Sequence, residues 1–318
     1  MKSIALPEFG PSSDCSVAIG IFDGVHLGHQ RVLAETRASS VSQQLMPIGL
    51  TFDTHPIALF APDRAPAYIC SVSQKVEWMT SAALVERVVV AHFDHEFAQM
   101  SPRTFAEDIL VGRLRAREVR VGADFRFGKD RAGSVMDLES LGEQYGFTVS
   151  VVHAVARGGE RISSSKIREL VGAGKVADAA KLIGRPFTLR GQVVRGKQLG
   201  RTIGFPTVNV KPEMPRQLLP ANGVYSGYAV IDGVKSKVRA AISIGTNPTT
   251  DGGDDARKVE AFLLDGFSRD TYGETVDLEV VARVRDEQRF DSVDRLIAEI
   301  GRDVAAISQS LPVIDYGD

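Results

Sequence analysis

The chain has 318 residues, of which 43% are hydrophobic and 25% are charged, the composition of an ordinary globular protein. Its 38 basic and 40 acidic residues give a formal net charge of -2, which excludes the strong overall field that holds a nucleic acid or an anionic membrane. The two cysteines, Cys15 and Cys70, fit neither a zinc spacing nor a disulfide framework and indicate a reducing compartment.

Targeting and membrane signals are missing from the sequence pattern. Residues 1–10 contain no apolar region of signal-peptide length, and no later stretch is apolar for long enough to span a bilayer. We therefore expect a cytoplasmic protein with no nucleic-acid or membrane partner. Association between copies of the chain is compatible with these numbers.

The first half of the chain alternates short apolar runs with amphipathic stretches. The predicted strands are 17–22, 47–52, 86–93, 118–122 and 147–153, and the predicted helices are 30–39, 74–83, 102–114 and 135–145. Alternation at this spacing indicates a Rossmann-like α/β domain with a parallel sheet covered on both faces. Ligands of such sheets bind at the carboxyl ends of the strands.

A segment with two histidines follows the first predicted strand and leads into the first predicted helix. His26 and His29 share a face if both are helical, and the N-terminus of the helix offers free N–H groups to an anion. Gly24 and Gly28 let the backbone approach a ligand closely. The alternative is a helix cap with two surface histidines, but the combination favours a phosphate site. The residues predicted to bind ATP here are Gly20, Phe22, Asp23, Gly24, His26 and His29.

A second candidate site lies at residues 161–168, where three serines precede a helical pattern. A helix N-cap accounts for one serine. It does not account for Lys166 and Arg168 at a helix start, where positive charge opposes the helix dipole. A bound phosphate would relieve that conflict, and the residues by themselves leave both interpretations open.

These two segments together resemble the nucleotidyltransferase superfamily that transfers AMP or CMP, by their HxGH and ISSSxxR motifs. The motifs at 52–56 (FDTHP) and 122–128 (GADFRFG) are similar to those of the FMN adenylyltransferase module of prokaryotic bifunctional FAD synthetases, although that family usually has Pro at the position of Thr54. The resemblance implies that His26, His29, Ser164 and Arg168 contact ATP phosphates. It also implies a flavin site, formed by Asp53, His55, Asp124 and Phe125.

The second half of the chain has a different pattern. Two short helices are predicted at 165–171 and 175–183, and the composition changes at 184–186. The predicted strands that follow are 187–194, 207–210, 223–231, 237–244, 258–264 and 275–284, with a final helix at 293–309. Short strands punctuated by Gly and Pro indicate a small antiparallel β-barrel. The predicted domains are therefore 1–184 and 185–318.

A glycine-rich basic loop, residues 196–206, leads into the second strand of this barrel and lacks the Walker A spacing. Thr207 and Asn209 are two apart on the strand, so their side chains share a face. Their oxygens are ligands suited to Mg²⁺. The alternative is an ordinary turn with an incidental Thr and Asn.

Glu260 lies on the predicted strand 258–264, and alternation puts it on the face opposite Val259 and Leu263. If those two residues face outward or toward a covering element, Glu260 points into the barrel, where a carboxylate is unfavourable without a partner or a role. It could accept the proton of a primary hydroxyl that attacks a γ-phosphate. The alternative is a solvated glutamate on an edge strand.

The barrel half resembles the riboflavin kinase module in the order and spacing of five motifs, which are 206–209 (PTxN), 223–225 (GVY), 245–249 (GTNPT), 259–262 (VExF) and 272–273 (YG). The resemblance implies that Thr207 and Asn209 hold Mg²⁺ and ATP, that Glu260 is the catalytic base, and that Arg285 contacts the flavin. The residues expected to bind ATP in this half are Gly196, Lys197, Gly204, Thr207 and Asn209.

Both resemblances combine into one hypothesis, a bifunctional enzyme that phosphorylates riboflavin to FMN and adenylylates FMN to FAD, using ATP and Mg²⁺. One alternative is a nucleotidyltransferase for another phosphate acceptor, with a non-catalytic barrel. The other is a non-catalytic flavin-binding protein.

Overall fold

The structure, a computed structural model, describes residues 3–81, 83–196, 199–246, 257–267 and 269–315. The chain packs into two compact units, the first drawn from 1–66 and 72–163 and the second from 67–71 and 164–318. The stretch 164–184, which precedes the expected boundary at residue 184, belongs to the second unit. The division into 1–184 and 185–318 stays a prediction.

The first unit contains a six-stranded parallel sheet in the order β1-β4-β3-β2-β5-β6. Its strands are β1 (Ser3–Ala5), β2 (Cys15–Ile19), β3 (Met46–Phe52), β4 (Arg87–Ala91), β5 (Ala116–Gly122) and β6 (Thr148–Val152). The order of strands reverses between β2 and β5, so the carboxyl edge of the sheet has a crevice there. A small hairpin follows, formed by β7 (Ala156–Arg157) and β8 (Glu160–Arg161).

Helices connect these strands. They are α1 (Leu27–Gln43), α2 (Pro56–Phe60), α3 (Val72–Ser81), α4 (His95–Ala98), α5 (Pro102–Thr104) with a π-helical continuation (Phe105–Arg113), and α6 (Val135–Tyr145). Short 3₁₀ turns lie at Leu6–Glu8, Pro62–Arg64 and Lys129–Arg131. The five predicted strands and four predicted helices of this half are confirmed in order, whereas the shorter elements β1, α2 and α4 were not predicted.

Both faces of the parallel sheet are buried, as the sequence pattern predicted. Val17 and Leu138 belong to the apolar cluster on one face. Ala18, the next residue along β2, belongs with Leu33 and Met79 to the cluster on the other face. Successive residues of a strand point to opposite faces, so apolar side chains at both positions require a helix layer on each side.

A buried polar network links side chains of β2, β5 and α1. The carboxylate of Glu118 accepts hydrogen bonds from Ser16 at 2.5 Å and Ser39 at 2.9 Å. It also accepts one from Nη2 of Arg120 at 2.6 Å. The side chains of Glu118 and Arg120 are 4% and 12% exposed, so each charge depends on the other for compensation.

We expect Glu118→Ala to lower the free energy of unfolding by about 3 kcal/mol, because Arg120 keeps a buried charge without its best partner. The matched control is Glu35→Ala. Glu35 contacts the same guanidinium at 3.1 Å but is 30% exposed, so its loss should cost less than about 1 kcal/mol. Denaturant titration of both variants checks the difference, and equal losses would contradict it.

The second unit begins with two helices, α7 (Ser164–Gly172) and α8 (Val176–Ile183), which pack on each other. Its strands are β9 (Phe187–Val194), β10 (Thr207–Pro212), β11 (Gly223–Ile231), β12 (Ser236–Gly245), β13 (Lys258–Leu263), β14 (Thr275–Asp286) and β15 (Ile314–Asp315). Its other helices are α9 (Leu199–Thr202) and α10 (Val293–Ser310). Among the described residues, no helix combines the length and hydropathy needed to cross a membrane.

The strands β11-β14-β9-β10-β13-β12 are antiparallel neighbours, and β12 pairs back with β11. This closure makes a six-stranded barrel, to which β15 adds at β12. The Rossmann-like parallel domain, the antiparallel barrel and the terminal helix are thus confirmed.

The orientation of β13 decides where Glu260 points. Val259, Ala261 and Leu263 are buried and alternate with the partly exposed Glu260 and Phe262. The interior of a small barrel is filled by side chains, and apolar ones fill it here because an unpaired charge there would be strongly unfavourable. The condition under which Glu260 would point into the barrel is therefore not met. Glu260 faces outward.

Candidate active sites

A cavity of about 1150 Å³ lies on the outer face of the barrel in the second unit. Strands β10, β12 and β13 form one side of it, and α10 contributes another side through Leu296 and Ile300. Glu260, Thr207 and Asn209 all line this cavity. The outward direction of Glu260 thus places its carboxylate in a site rather than in bulk solvent.

The register of three strands brings the predicted kinase residues together. Asn209 of β10 and Ser243 of β12 both lie directly opposite Glu260. Residues directly opposite in an antiparallel pair project from the same face. Thr207, two residues from Asn209, donates a hydrogen bond from Oγ1 to Oε2 of Glu260 at 3.3 Å. Ser243 lines the same cavity and was not predicted from the sequence.

Glycines of the preceding loop allow this arrangement. A Cβ atom at Gly196 would lie 2.2 Å from Nδ2 of Asn209, so a side chain there would displace the amide. Gly204 has a φ of +85°, a conformation that favours glycine. Lys197 and the 247–249 part of the motif at 245–249 lie outside the described residues.

Arg285 lies at the cavity near the end of β14 and is ion-paired with α10. Its Nε donates to both carboxylate oxygens of Asp303 at 3.0 Å, and its Nη2 donates to Oδ2 at 2.8 Å. The resemblance assigned Arg285 to the flavin, and that assignment stays a prediction. Asp303 was not predicted, because only the packing of α10 on the barrel reveals it.

The first candidate site in the other unit begins with an unusual loop after β2. Phe22, Gly24 and Val25 have φ values of 50°, 82° and 38°. This is why the predicted strand 17–22 is wrong at its end, since β2 stops at Ile19. Left-handed backbone at non-glycine residues is unfavourable and concentrates at functional sites. Asp23 lies buried within the same loop.

His26 and His29 are brought together, but not on one helical face. His26 is the N-cap of α1, and its Nδ1 accepts the backbone N–H of His29 at 3.3 Å. The two rings stack with centroids 3.5 Å apart and an interplanar angle of 16°. Since Nδ1 of His26 is an acceptor, a neutral His26 carries its proton on Nε2. The pair thus lies at the start of a long helix, where the helix dipole favours an anion.

Asp53 follows β3 at the same edge of the sheet and pairs with a residue that was not predicted. Its Oδ2 lies 2.5 Å from Nδ1 of His92, and its Oδ1 accepts the N–H of Phe93 at 3.0 Å. Burial works to raise the pKa of Asp53, but these hydrogen bonds outweigh it and hold the pKa below its usual range. The hydrogen bond and charge of Asp53 raise the pKa of His92. The sequence pattern placed His92 inside the predicted strand 86–93, whereas β4 ends at Ala91 and leaves His92 directly after it.

We expect the pKa of His92 to lie above the ordinary histidine value and to return to it in Asp53→Asn. The raised pKa of His92 stabilises the fold below the unfolded-state pKa, and this contribution is lost as pH rises through the folded-state pKa. The lowered pKa of Asp53 stabilises the fold above its unfolded-state pKa, and this is lost as pH falls through the folded-state pKa. NMR titration of the ring resonances checks this, with the exposed His95 as the internal control. Identical His92 titrations in both proteins would contradict the pairing.

The other predicted flavin residues lie in the loops after β3 and β5. His55 is the N-cap of α2, and its Nδ1 accepts the N–H of Ile57 at 3.2 Å. Oδ2 of Asp124 pairs with Arg161 at 2.7 Å. The ring of Phe125 stacks on that of Phe127, with centroids 5.6 Å apart. These loops follow the carboxyl ends of their strands, where the sheet architecture places ligands.

Ser164 and Arg168 belong to the second unit, on α7. Nε of Arg168 donates to the carbonyl of Ala67 at 2.7 Å, and Nζ of Lys166 donates to Glu169 at 3.1 Å. Their part in binding ATP together with His26 and His29 stays a prediction.

Comparison with known proteins matches two different family models to the two halves of the chain. The model of the FAD synthetase family matches residues 10–166, and the model of the riboflavin kinase family matches residues 183–311. The bifunctional riboflavin kinase/FMN adenylyltransferase of Escherichia coli (strain K12) is 38% identical over 293 residues, covering 92% of this chain and 91% of that protein. The protein of the same description from Haemophilus influenzae is 36% identical, covering 91% of this chain and 92% of that one.

A solved structure covers nearly the whole chain. It is described as a macrolide-efflux protein from Streptococcus pneumoniae, is 31% identical, covers 98% of this chain and 100% of that one, and gives a TM-score of 0.84. The word efflux describes that protein only. The family of this chain is determined by the two family models and by the relatives named above. The chain belongs to the family of bifunctional riboflavin kinase/FMN adenylyltransferases.

Proposed function

We propose that this chain converts riboflavin and ATP into FMN and ADP at the barrel, and then FMN and ATP into FAD and pyrophosphate at the parallel-sheet unit. We assign residues 185–318 to the first reaction and 1–184 to the second. The observation that carries the proposal is the cluster of Thr207, Asn209 and Glu260 on one wall of the barrel cavity. The product of the first reaction supplies the phosphate that attacks in the second.

In the kinase reaction, Glu260 accepts the proton of the primary hydroxyl of riboflavin as that oxygen attacks the γ-phosphorus of ATP. The bond between the γ-phosphorus and the bridging oxygen breaks, and ADP leaves. The hydroxyl of Thr207 orients the carboxylate through its hydrogen bond to Oε2. Because the site adjoins an apolar cavity wall that includes Phe262, it can hold a flat aromatic substrate beside the base.

The kinase site fits Mg²⁺ through the oxygens of Thr207 and Asn209. The close approach of Gly196 to the amide of Asn209 leaves no room for a Cβ, so backbone rather than a side chain borders this amide. When bound, Mg²⁺ neutralises charge on the phosphates of ATP. Glu260 lies directly opposite Asn209, so the base and the ATP-binding residues share one surface.

In the adenylyl transfer, the phosphate of FMN attacks the α-phosphorus of ATP, and the bond to the departing pyrophosphate breaks. His26 and His29 donate hydrogen bonds to phosphate oxygens as negative charge builds there. The stacked rings and the N-terminus of α1 hold these donors at one place. Asp53, His55, Asp124 and Phe125 lie in loops of the same sheet edge and contribute to the flavin side.

We place the enzyme in the cytoplasm. Its two cysteines are buried and are not joined by a disulfide, in keeping with a reducing compartment, and ATP and Mg²⁺ are available there. Riboflavin, FMN and ATP are its small-molecule partners. Association between copies of the chain stays a prediction.

Incubation of the purified protein with riboflavin, ATP and Mg²⁺ tests the function. We expect chromatography to show FMN first and FAD later, and FAD alone when FMN is supplied. Replacing ATP with CTP in the second reaction distinguishes an adenylyltransferase from a cytidylyltransferase. A folded protein that forms neither FMN nor FAD would refute the proposal.

A further inference from the structure

Helix α10 forms a wall of the cavity that contains Glu260. Leu296, Ile300 and Asp303 all line the cavity, and their spacing places them on one face of the helix. The barrel surface that bears Glu260 and Asn209 lines the same cavity. The width of the cavity therefore depends on where α10 rests against the barrel.

Arg285 of β14 forms an ion pair that connects this helix to the barrel beside the cavity. Its guanidinium reaches both oxygens of Asp303, at 3.0 Å from Nε and at 2.8 Å from Nη2. The two side chains are 16% and 7% exposed, so solvent screens this pair far less than a surface pair. Because two nitrogens of Arg285 donate to this carboxylate, the contact fixes the orientation of the two side chains as well as the distance between them.

Arg285 also lies near a second carboxylate of α10, with its Nε 3.8 Å from Oε1 of Glu299, and its remaining donors contact groups close to it in the chain. Its Nη1 donates to the carbonyl of Asp286 at 3.1 Å, and the guanidinium carbon lies 5.7 Å from the centre of the Phe290 ring. A guanidinium engaged in this way has few N–H groups left for a substrate.

A second anchor holds α10 at its carboxyl end. Nη1 of Arg239 donates to the carbonyl of Ser308 at 2.8 Å and to that of Leu311 at 3.4 Å. The hydroxyl of Tyr228 donates to the carbonyl of Pro312 at 2.9 Å. With the carboxyl end fixed in this way, the pair of Arg285 and Asp303 determines the position of the part of the helix that faces the cavity.

We propose that Arg285 is a positioning residue of the kinase site, which acts through Asp303 to hold Leu296 and Ile300 at the distance that the flat ring system of riboflavin requires. This inference rests on the proposed riboflavin kinase activity. The attacking hydroxyl reacts at Glu260, which belongs to the barrel and not to α10. Displacement of α10 therefore weakens binding of the ring and leaves the chemical step nearly unchanged, which raises KM more than it lowers kcat.

A double-mutant cycle with Arg285→Lys, Asp303→Asn and the double variant tests the proposal. Lysine keeps the positive charge but cannot form a bidentate contact with a carboxylate. We expect each single variant to raise KM for riboflavin about tenfold, with kcat within about twofold of the unchanged protein. The double variant should be no worse than either single one, because all three lack the same contact. Additive effects on KM, or an effect of Arg285→Lys without one of Asp303→Asn, would overturn the proposal, because Arg285 would then act through a group other than Asp303.

The exposed pair of Arg295, in the first turn of α10, and Asp291, just before the helix, provides the matched control. Its side chains are 73% and 71% exposed, and Arg295→Lys and Asp291→Asn should leave KM unchanged. If the cavity variants lower only the melting temperature and not the affinity for riboflavin, the role is merely structural and the inference is wrong. A wild-type protein without riboflavin phosphorylation would contradict the proposed function instead. In that case, riboflavin fluorescence titration of the same variants would test the inference. The riboflavin affinities of the cavity variants would be compared with those of the control variants.

Discussion

Glu260→Gln should reduce riboflavin phosphorylation by about 10² to 10⁴-fold, because an amide cannot accept the proton of the attacking hydroxyl. The same protein should adenylylate supplied FMN at the unchanged rate, since His26 and His29 lie in the other unit. Glutamine retains the shape of the side chain and can still contact Thr207. The loss should therefore appear in kcat for FMN formation, measured by chromatography.

Glu279→Gln is the matched control for this change. Glu279 lies in β14, which is not a neighbour of β13 in the barrel, and pairs with Nζ of Lys237 at 2.7 Å; neither residue lines the cavity. Its loss should leave both reactions unchanged. If Glu260→Gln retained full kinase activity, another group would be the base. If it stopped both reactions in a folded protein, the division of the two activities between the units would be wrong.

His29→Ala should give the reverse pattern. Adenylylation of FMN should fall by about 10² to 10³-fold, because one donor to the developing phosphate charge is lost. Phosphorylation of riboflavin should continue, so FMN accumulates in place of FAD. Chromatography of a reaction started from riboflavin shows both effects in one experiment.

The ring of His29 also packs edge-on against Phe22 at 5.4 Å, so its removal disturbs packing as well as chemistry. His29→Gln separates the two effects, because an amide is a donor of similar length and should retain part of the rate. The exposed His95 serves as the control, and His95→Ala should leave both reactions unchanged. Equal activities of His29→Ala and the unchanged protein would remove His29 from the mechanism.

Local patterns predicted most of the fold. Alternation in β13 correctly put Glu260 on the face opposite Val259, because the periodicity of a strand is a property of neighbouring residues. It could not say which face is inside, because that depends on how six strands close into a barrel. The same limit applied to His26, which the pattern put on a helical face but which the backbone conformation of the preceding loop makes a cap.

The amino-acid sequence by itself determined the two modules, the order of their elements and the candidate residues of both sites, because periodicity and motif spacing are properties of the chain itself. The tertiary structure alone decided the partners of these residues. His92 meets Asp53 because β3 and β4 are neighbours in a parallel sheet, and Asp303 meets Arg285 because α10 packs across the barrel. Contacts between residues distant in sequence arise from strand register and helix packing, which depend on the complete core and leave no signal in any short stretch of sequence.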